Sequence, residues 1–141
     1  MNSPSESPLP VVSPIPRYVE QFSGRGENEN GRPFSFHTYT GPKGEKITTK
    51  FEAYETISEV ERRFDQIYKS SLKVDEESPI IDKHGLHVGE RALIQIRADS
   101  TELEFDLLLS NGSKLYIIRS DSVHTLQDFE KEFVPSILAA N

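Results

Sequence analysis

The chain has 141 residues, of which 35% are hydrophobic, with 16 Lys/Arg against 23 Asp/Glu and a net charge of −7. That length accommodates one domain plus a tail. The acidic balance argues against wrapping nucleic acid or docking on anionic lipid, because both need basic patches. Cysteine is absent, which excludes disulfides, thiol chemistry and Cys-based zinc or iron–sulfur sites. No apolar run approaches the ~18 residues of a membrane span. The start, "MNSPSESPLP", lacks the basic and apolar regions of a signal peptide. These features predict a soluble chain, cytoplasmic or exported with its targeting segment removed.

Residues 1–33 hold six of the nine prolines, five serines and three glycines. Such a segment buries too little apolar surface to offset its ordering entropy. It reads as a disordered Pro/Ser/Gly-rich leader or tether. "RYVEQF" (17–22) has the means to pack locally or to serve as a docking motif, but the composition favours a linker with two stray aromatics. Residues 34–141 hold 13 of the basic and 19 of the acidic residues and read as a single α+β domain.

"FSFHTYT" alternates Phe34, Phe36 and Thr38 against Ser35, His37 and Tyr39, a strand pattern. "GPKGEK" follows as a turn, without the GxxxxGK[ST] spacing of a phosphate loop. "ITTKFEAY" alternates again and completes a hairpin. The period then changes. Ile57, Val60, Phe64, Ile67, Tyr68 and Leu72 recur at three and four residues, which predicts an amphipathic helix at about 56–71. Thr56 and Glu59 form its capping box.

A meander of strands comes next: "PIID", "LHVGERALIQIRA", "ELEFDLLL" and "KLYIIR". Asn111-Gly112 predicts a two-residue turn that sets Leu109 against Lys114, Leu107 against Tyr116, Leu108 against Leu115 and Glu104 against Arg119. A turn at Asp99-Ser100 sets Ile96 against Leu103, Ile94 against Phe105 and Arg97 against Glu102. The two registers agree on which residues of 103–109 share an apolar face. The C-terminal segment has Asp121 or Ser122 to cap a helix and the stripe Val123, Leu126, Phe129, Phe133 and Ile137. Pro135 should end or kink that helix near Val134. The predicted fold is α+β: a mostly antiparallel, meandering sheet of five to six strands with two helices, at about 56–71 and 122–138.

The most chemical-looking stretch is "DKHGLHVGER" (82–91), behind the acidic Asp75, Glu76 and Glu77. Asp82 and Gly85 occupy the first and fourth positions of a type I turn. His84 then sits on the loop tip and His87 on the next strand. Residues three apart on a strand point to opposite faces, so these histidines do not converge as the pair in a helical HExxH does. The preferred reading is a polar hairpin tip, with a metal or small-ligand site in loop 75–91, enzymatic in one version, as the alternative. "SDSVH" carries hydrolase residue types in Asp121, Ser122 and His124, but helix capping explains the first two and no GxSxG surrounds them. Glu102, Glu104 and Asp106 share a strand face that Arg97 and Arg119 are placed to neutralise. No catalytic, cofactor or metal residue is assigned.

Leu93, Leu108, Leu115 and Ile117 collect at one end of the second sheet face. Some cover must exist for them. The first hairpin, the second helix or another protein chain would provide it, and a contiguous apolar patch marks a protein-binding site. The functional expectation is a non-enzymatic protein-binding or interaction module, with a partner or self-association at these four residues. An acidic inhibitor of a basic protein is one version of it.

Overall fold

A computed structural model describes residues 15–98 and 103–139 of the chain. Seven strands alternate with two helices in the order β1 (Val19–Glu27), β2 (Pro33–Thr40), β3 (Lys46–Ala53), α1 (Ile57–Lys69), β4 (Lys73–Ile81), β5 (His87–Ala98), β6 (Leu103–Asn111), β7 (Lys114–Ser120) and α2 (Val123–Ala139). The strands form one antiparallel sheet in the order β1-β2-β3-β7-β6-β5-β4. The fold is α+β as expected, with one or two strands more.

The strand not named from the sequence is β1. It pairs along its length with β2, so the chain joins the sheet well before residue 34. Ile15 and Tyr18 are buried against α2, where Tyr18 meets Phe129 edge-on and donates its hydroxyl to Asp128 (2.7 Å). Composition misled at this boundary because the prolines crowd 1–16, whereas 17–27 is ordinary strand sequence. A signal for the hairpin existed. Asn28-x-x-Gly31 has the same spacing as Asp82-x-x-Gly85, and Gly41-x-x-Gly44 repeats it between β2 and β3. In all three turns the glycine N–H returns to the carbonyl of the first residue, and the glycine takes a positive φ of 74–80°.

α1 begins as predicted. Thr56 accepts the Glu59 N–H at 3.2 Å, the N-cap half of the expected capping box, and its hydroxyl donates to the Glu59 carboxylate at 3.2 Å. The chain must travel from β3 to β4 across three intervening strands, about 19 Å at the usual strand spacing. A 13-residue helix, about 20 Å long, is enough to do it. α2 runs through Pro135 to Ala139 rather than ending near Val134. Proline removes one intrahelical hydrogen bond there and does not terminate the helix.

The helices lie on opposite faces. α2 packs with Leu126, Phe129 and Phe133 on Phe51, Leu93, Leu107, Leu109, Tyr116 and Ile118. α1 packs with Val60, Phe64, Ile67 and Tyr68 on Ala92, Ile94, Leu108, Leu115 and Ile117.

Two registers differ from expectation, with different consequences. β6 pairs β7 through Leu109↔Tyr116 and Leu108↔Ile117, two residues away from the predicted match. The turn residues are Gly112 and Ser113, and only Gly112 has a positive φ, as a type II′ turn requires. A shift of two leaves every side chain on its predicted face. β5 is different. A bulge between Gln95 and Arg97 places Arg97 opposite Glu104 but Leu93 opposite Leu107 and Ile94 opposite Asp106. One inserted residue reverses the faces beyond it. Leu93 therefore faces α2 and Ile94 faces α1, the reverse of the sequence reading. The proposed Arg97–Glu102 pair and the Asp99-Ser100 turn lie outside the described residues.

Candidate binding groove beside helix α1

α1 covers β5, β6 and β7 but stops short of β1–β3. The exposed part of that face is built by glycine and phenylalanine in register. Gly24 pairs with Phe36 and Gly26 with Phe34. A Cβ at Gly24 would meet the Phe36 ring at 2.5 Å, and one at Gly26 would meet the Phe34 ring at 3.0 Å. The absence of side chains on β1 thus lets both rings lie down over the neighbouring strand. Phe22 extends the row, with its ring centroid 5.6 Å from that of Phe36, and Phe36 is 6.3 Å from Phe34. Phe22 is 61% exposed.

Between this row and α1 runs a groove of about 510 Å³. Phe34, Phe36 and Ile117 form its apolar floor, and Arg63 and Ile67 of α1 form one wall. Lys50 and Arg119 also line it. The Lys50 ammonium stands 4.5 Å over the Phe34 ring. Arg119 grips the buried Asp106 with two nitrogens, at 2.9 and 3.2 Å, while its side chain stays 52% exposed.

A buried carboxylate fixes this wall. Glu52 on β3 has no solvent exposure and accepts from the Tyr54 hydroxyl (2.7 Å), Arg63 Nε (3.2 Å) and Asn28 Nδ2 (3.4 Å). Lys50 Nζ is 3.5 Å away. Burial pushes the Glu52 pKa up, but the hydrogen bond from Tyr54 and the charges of Arg63 and Lys50 outweigh it, so the group sits below the ordinary carboxylate value. The same burial and the hydrogen bond to Glu52 raise the Tyr54 pKa. Glu52 therefore remains charged and holds α1, through Arg63, at a fixed distance from β3.

A second cleft, of about 770 Å³, opens on the other side of α1 toward β4 and β5. Phe64 and Tyr68 line it with Glu61, Asp65, Glu77 and Glu90. Three of its carboxylates are engaged already: Glu77 accepts the Tyr68 hydroxyl at 2.6 Å, Glu90 meets His87 Nε2 at 2.8 Å and Asp65 meets Lys69 Nζ at 2.9 Å.

The four residues expected to meet a partner are inside the molecule. Leu93, Leu108 and Leu115 are at most 1% exposed and Ile117 is 9% exposed. Leu108, Leu115 and Ile117 are covered by α1, and Leu93 lies in the core beneath α2. The cover is thus internal, and it is the first helix rather than the hairpin or second helix anticipated. The reason is the β5 bulge, which moves Leu93 to the other face, together with the crossover that draws α1 over this one.

The hairpin tip is a turn, as predicted. Asp82 accepts the backbone N–H of His84 (2.8 Å) and Leu86 (2.9 Å), which lowers its pKa, the Leu86 bond contributing most. Among the described residues no three His, Asp or Glu side chains are placed to hold a metal. Ser122 caps α2 by accepting the Thr125 N–H at 3.3 Å. Asp106 rather than Glu104 is the partner of Arg119. Sequence reasoning missed Lys50 and Arg63 as a site and read Phe34 and Phe36 only as strand residues. Once the Asn28-x-x-Gly31 turn is recognised, the alternation of "SGRGE" with "PFSFH" puts glycine opposite phenylalanine twice.

No helix among the described residues is long and apolar enough to cross a membrane. No family model matches the chain, and no curated protein or solved structure matches it significantly.

Proposed function

We propose that this protein is a non-catalytic binding module that takes an apolar, carboxylate-bearing peptide segment of a partner protein in the groove between α1 and β2–β3. The observation that carries the reading is the aromatic row of exposed Phe22 and half-buried Phe36 and Phe34, running beside Lys50 and Arg119. Aromatic rings supply large contact area at low entropic cost, and a Lys or Arg at the rim fixes a carboxylate. The buried Glu52–Arg63 contact keeps the wall in place before a ligand arrives, and preorganisation of this kind lowers the cost of binding. This site lies next to the buried leucine patch and replaces it as the docking surface.

The test is selection of a displayed library of random short peptides on the wild-type protein, with counter-selection on Phe34→Ser and Lys50→Ala. The expected winners combine aromatic or aliphatic residues with Asp or Glu and bind both variants at least about tenfold more weakly. Winners that bind all three proteins equally, or no winners, would overturn the reading.

A further inference from the structure

Among the described residues the sheet ends in two unpaired edges, β1 and β4, and they are treated differently by the sequence. β4 carries Pro79, which donates no backbone hydrogen bond, and three consecutive carboxylates, Asp75, Glu76 and Glu77. Proline and like charges are the ordinary protections against strand addition. β1 has its bulge between Glu20 and Phe22 and its other acid at Glu27, whereas its centre, Phe22-Ser23-Gly24, is uncharged. An exposed aromatic thus stands in the unprotected part of an edge strand.

We infer that β1 is the site of self-association, pairing antiparallel with β1 of a second copy about a two-fold axis at Ser23. Ser23 is the midpoint of the nine-residue strand, so this register overlaps the two strands most completely. It sets Phe22 of each copy opposite Gly24 of the other. Phe22 and Gly24 lie on one face, the face on which Phe36 already leans over Gly24. Glycine offers no Cβ to obstruct the incoming ring, so each Phe22 packs beside the partner copy's Phe36, repeating between chains the Phe-over-Gly arrangement that β2 makes within one. The charges agree as well. On the other face Arg25 is exposed and has no ion pair among the described residues. In this register it comes opposite Gln21 and beside Glu20 of the second copy, whose carboxylate also contacts His37 of its own chain. Symmetry makes each contact twice. The two sheets then continue as one, and the aromatic rows of both copies meet at the axis.

The absence of cysteine makes the test clean. Sedimentation of the wild-type chain should show a dimer, and Phe22→Lys should weaken it at least about tenfold. Ser23→Cys should cross-link under mild oxidation, since paired strand positions lie within the Cα separation a disulfide spans. His84→Cys, at an exposed hairpin tip, should not. A wild-type monomer at about 1 mM overturns the inference. So does a dimer that survives Phe22→Lys and fails to cross-link through Ser23→Cys, because another surface then makes it. The peptide-groove reading shares the rings of Phe22 and Phe36 with this interface, but the tests separate the two: Phe34→Ser and Lys50→Ala should weaken peptide capture and leave the dimer intact, whereas a monomeric wild type that still selects peptides overturns the dimer alone.

Discussion

The Nε of Arg63 on α1 lies 3.2 Å from a carboxylate oxygen of Glu52 on β3, a side chain with no solvent exposure. The two residues are eleven apart in sequence and belong to different layers of the fold. Removing one partner leaves a buried charge uncompensated, which costs about 3–5 kcal/mol. Arg63→Met, which leaves the fully buried Glu52 carboxylate behind, is expected in that range. Glu52→Gln should fall near its lower end, because the Arg63 it leaves retains some contact with solvent and also meets Glu29 at 3.4 Å. Urea midpoints of the two variants check this.

The same pair predicts an acid dependence. The folded Glu52 pKa lies below its ordinary value of 4.5, so the unfolded chain takes up a proton first as pH falls. The stabilisation is therefore complete above the ordinary value and is lost as pH drops through the folded one. The difference in unfolding free energy between wild type and Glu52→Gln should be largest near neutrality and should shrink below about pH 4. A difference that stays constant across that range would show that Glu52 is not the group titrating.

Leu108 is fully buried between the sheet and α1, so Leu108→Ala should cost about 2–5 kcal/mol by thermal or urea unfolding. Leu108→Lys should give no folded protein by circular dichroism. A loss of binding in that variant would report folding and not docking, which is why the exposed Phe22 and the groove residues Phe34 and Lys50 are the informative positions.

Gly89 on β5 passes so close to β6 that a Cβ would overlap the Ser110 carbonyl oxygen. The obstacle is backbone and cannot rotate away. Gly89→Ala should therefore destabilise the fold by about 4 kcal/mol or more, the range in which single substitutions are exceptional. A melting temperature close to wild type would mean that β5 and β6 separate locally at little cost.

Asn28 and Asp82 occupy the same position in two equivalent turns but carry different loads. Asn28 accepts the N–H of Asn30 and Arg32 and donates to Tyr54 and Glu52. Asn28→Ala should cost about 1–3 kcal/mol, because it leaves part-buried groups without a partner. Asp82→Ala loses only the exposed turn bonds to His84 and Leu86 and should lower the melting temperature less. Its effect should fade in acid, where the lowered Asp82 pKa is reached and the carboxylate is neutral in both states.

The sequence by itself determined the local structure: the Thr56–Glu59 cap and apolar stripe of α1, the Asp82–Gly85 turn, the hairpin of β2 and β3, and the face assignment of β6 and β7. Each depends on residues a few positions apart, where spacing and backbone geometry are read directly. Tertiary structure decided the rest. A single bulged residue in β5 exchanged the faces of Leu93 and Ile94, and no local pattern announces a bulge whose strand remains apolar on both sides. The crossover from β3 to β4 put α1 over Leu108, Leu115 and Ile117, so a patch whose cover the sequence left open became core. The groove arose the same way. Its rings lie flat because glycine on β1 meets phenylalanine on β2, and its wall holds because Glu52 on β3 meets Arg63 on α1. Such contacts form only when strands and helix are brought together, since cross-strand and interlayer neighbours are chosen by register and topology rather than by distance along the chain.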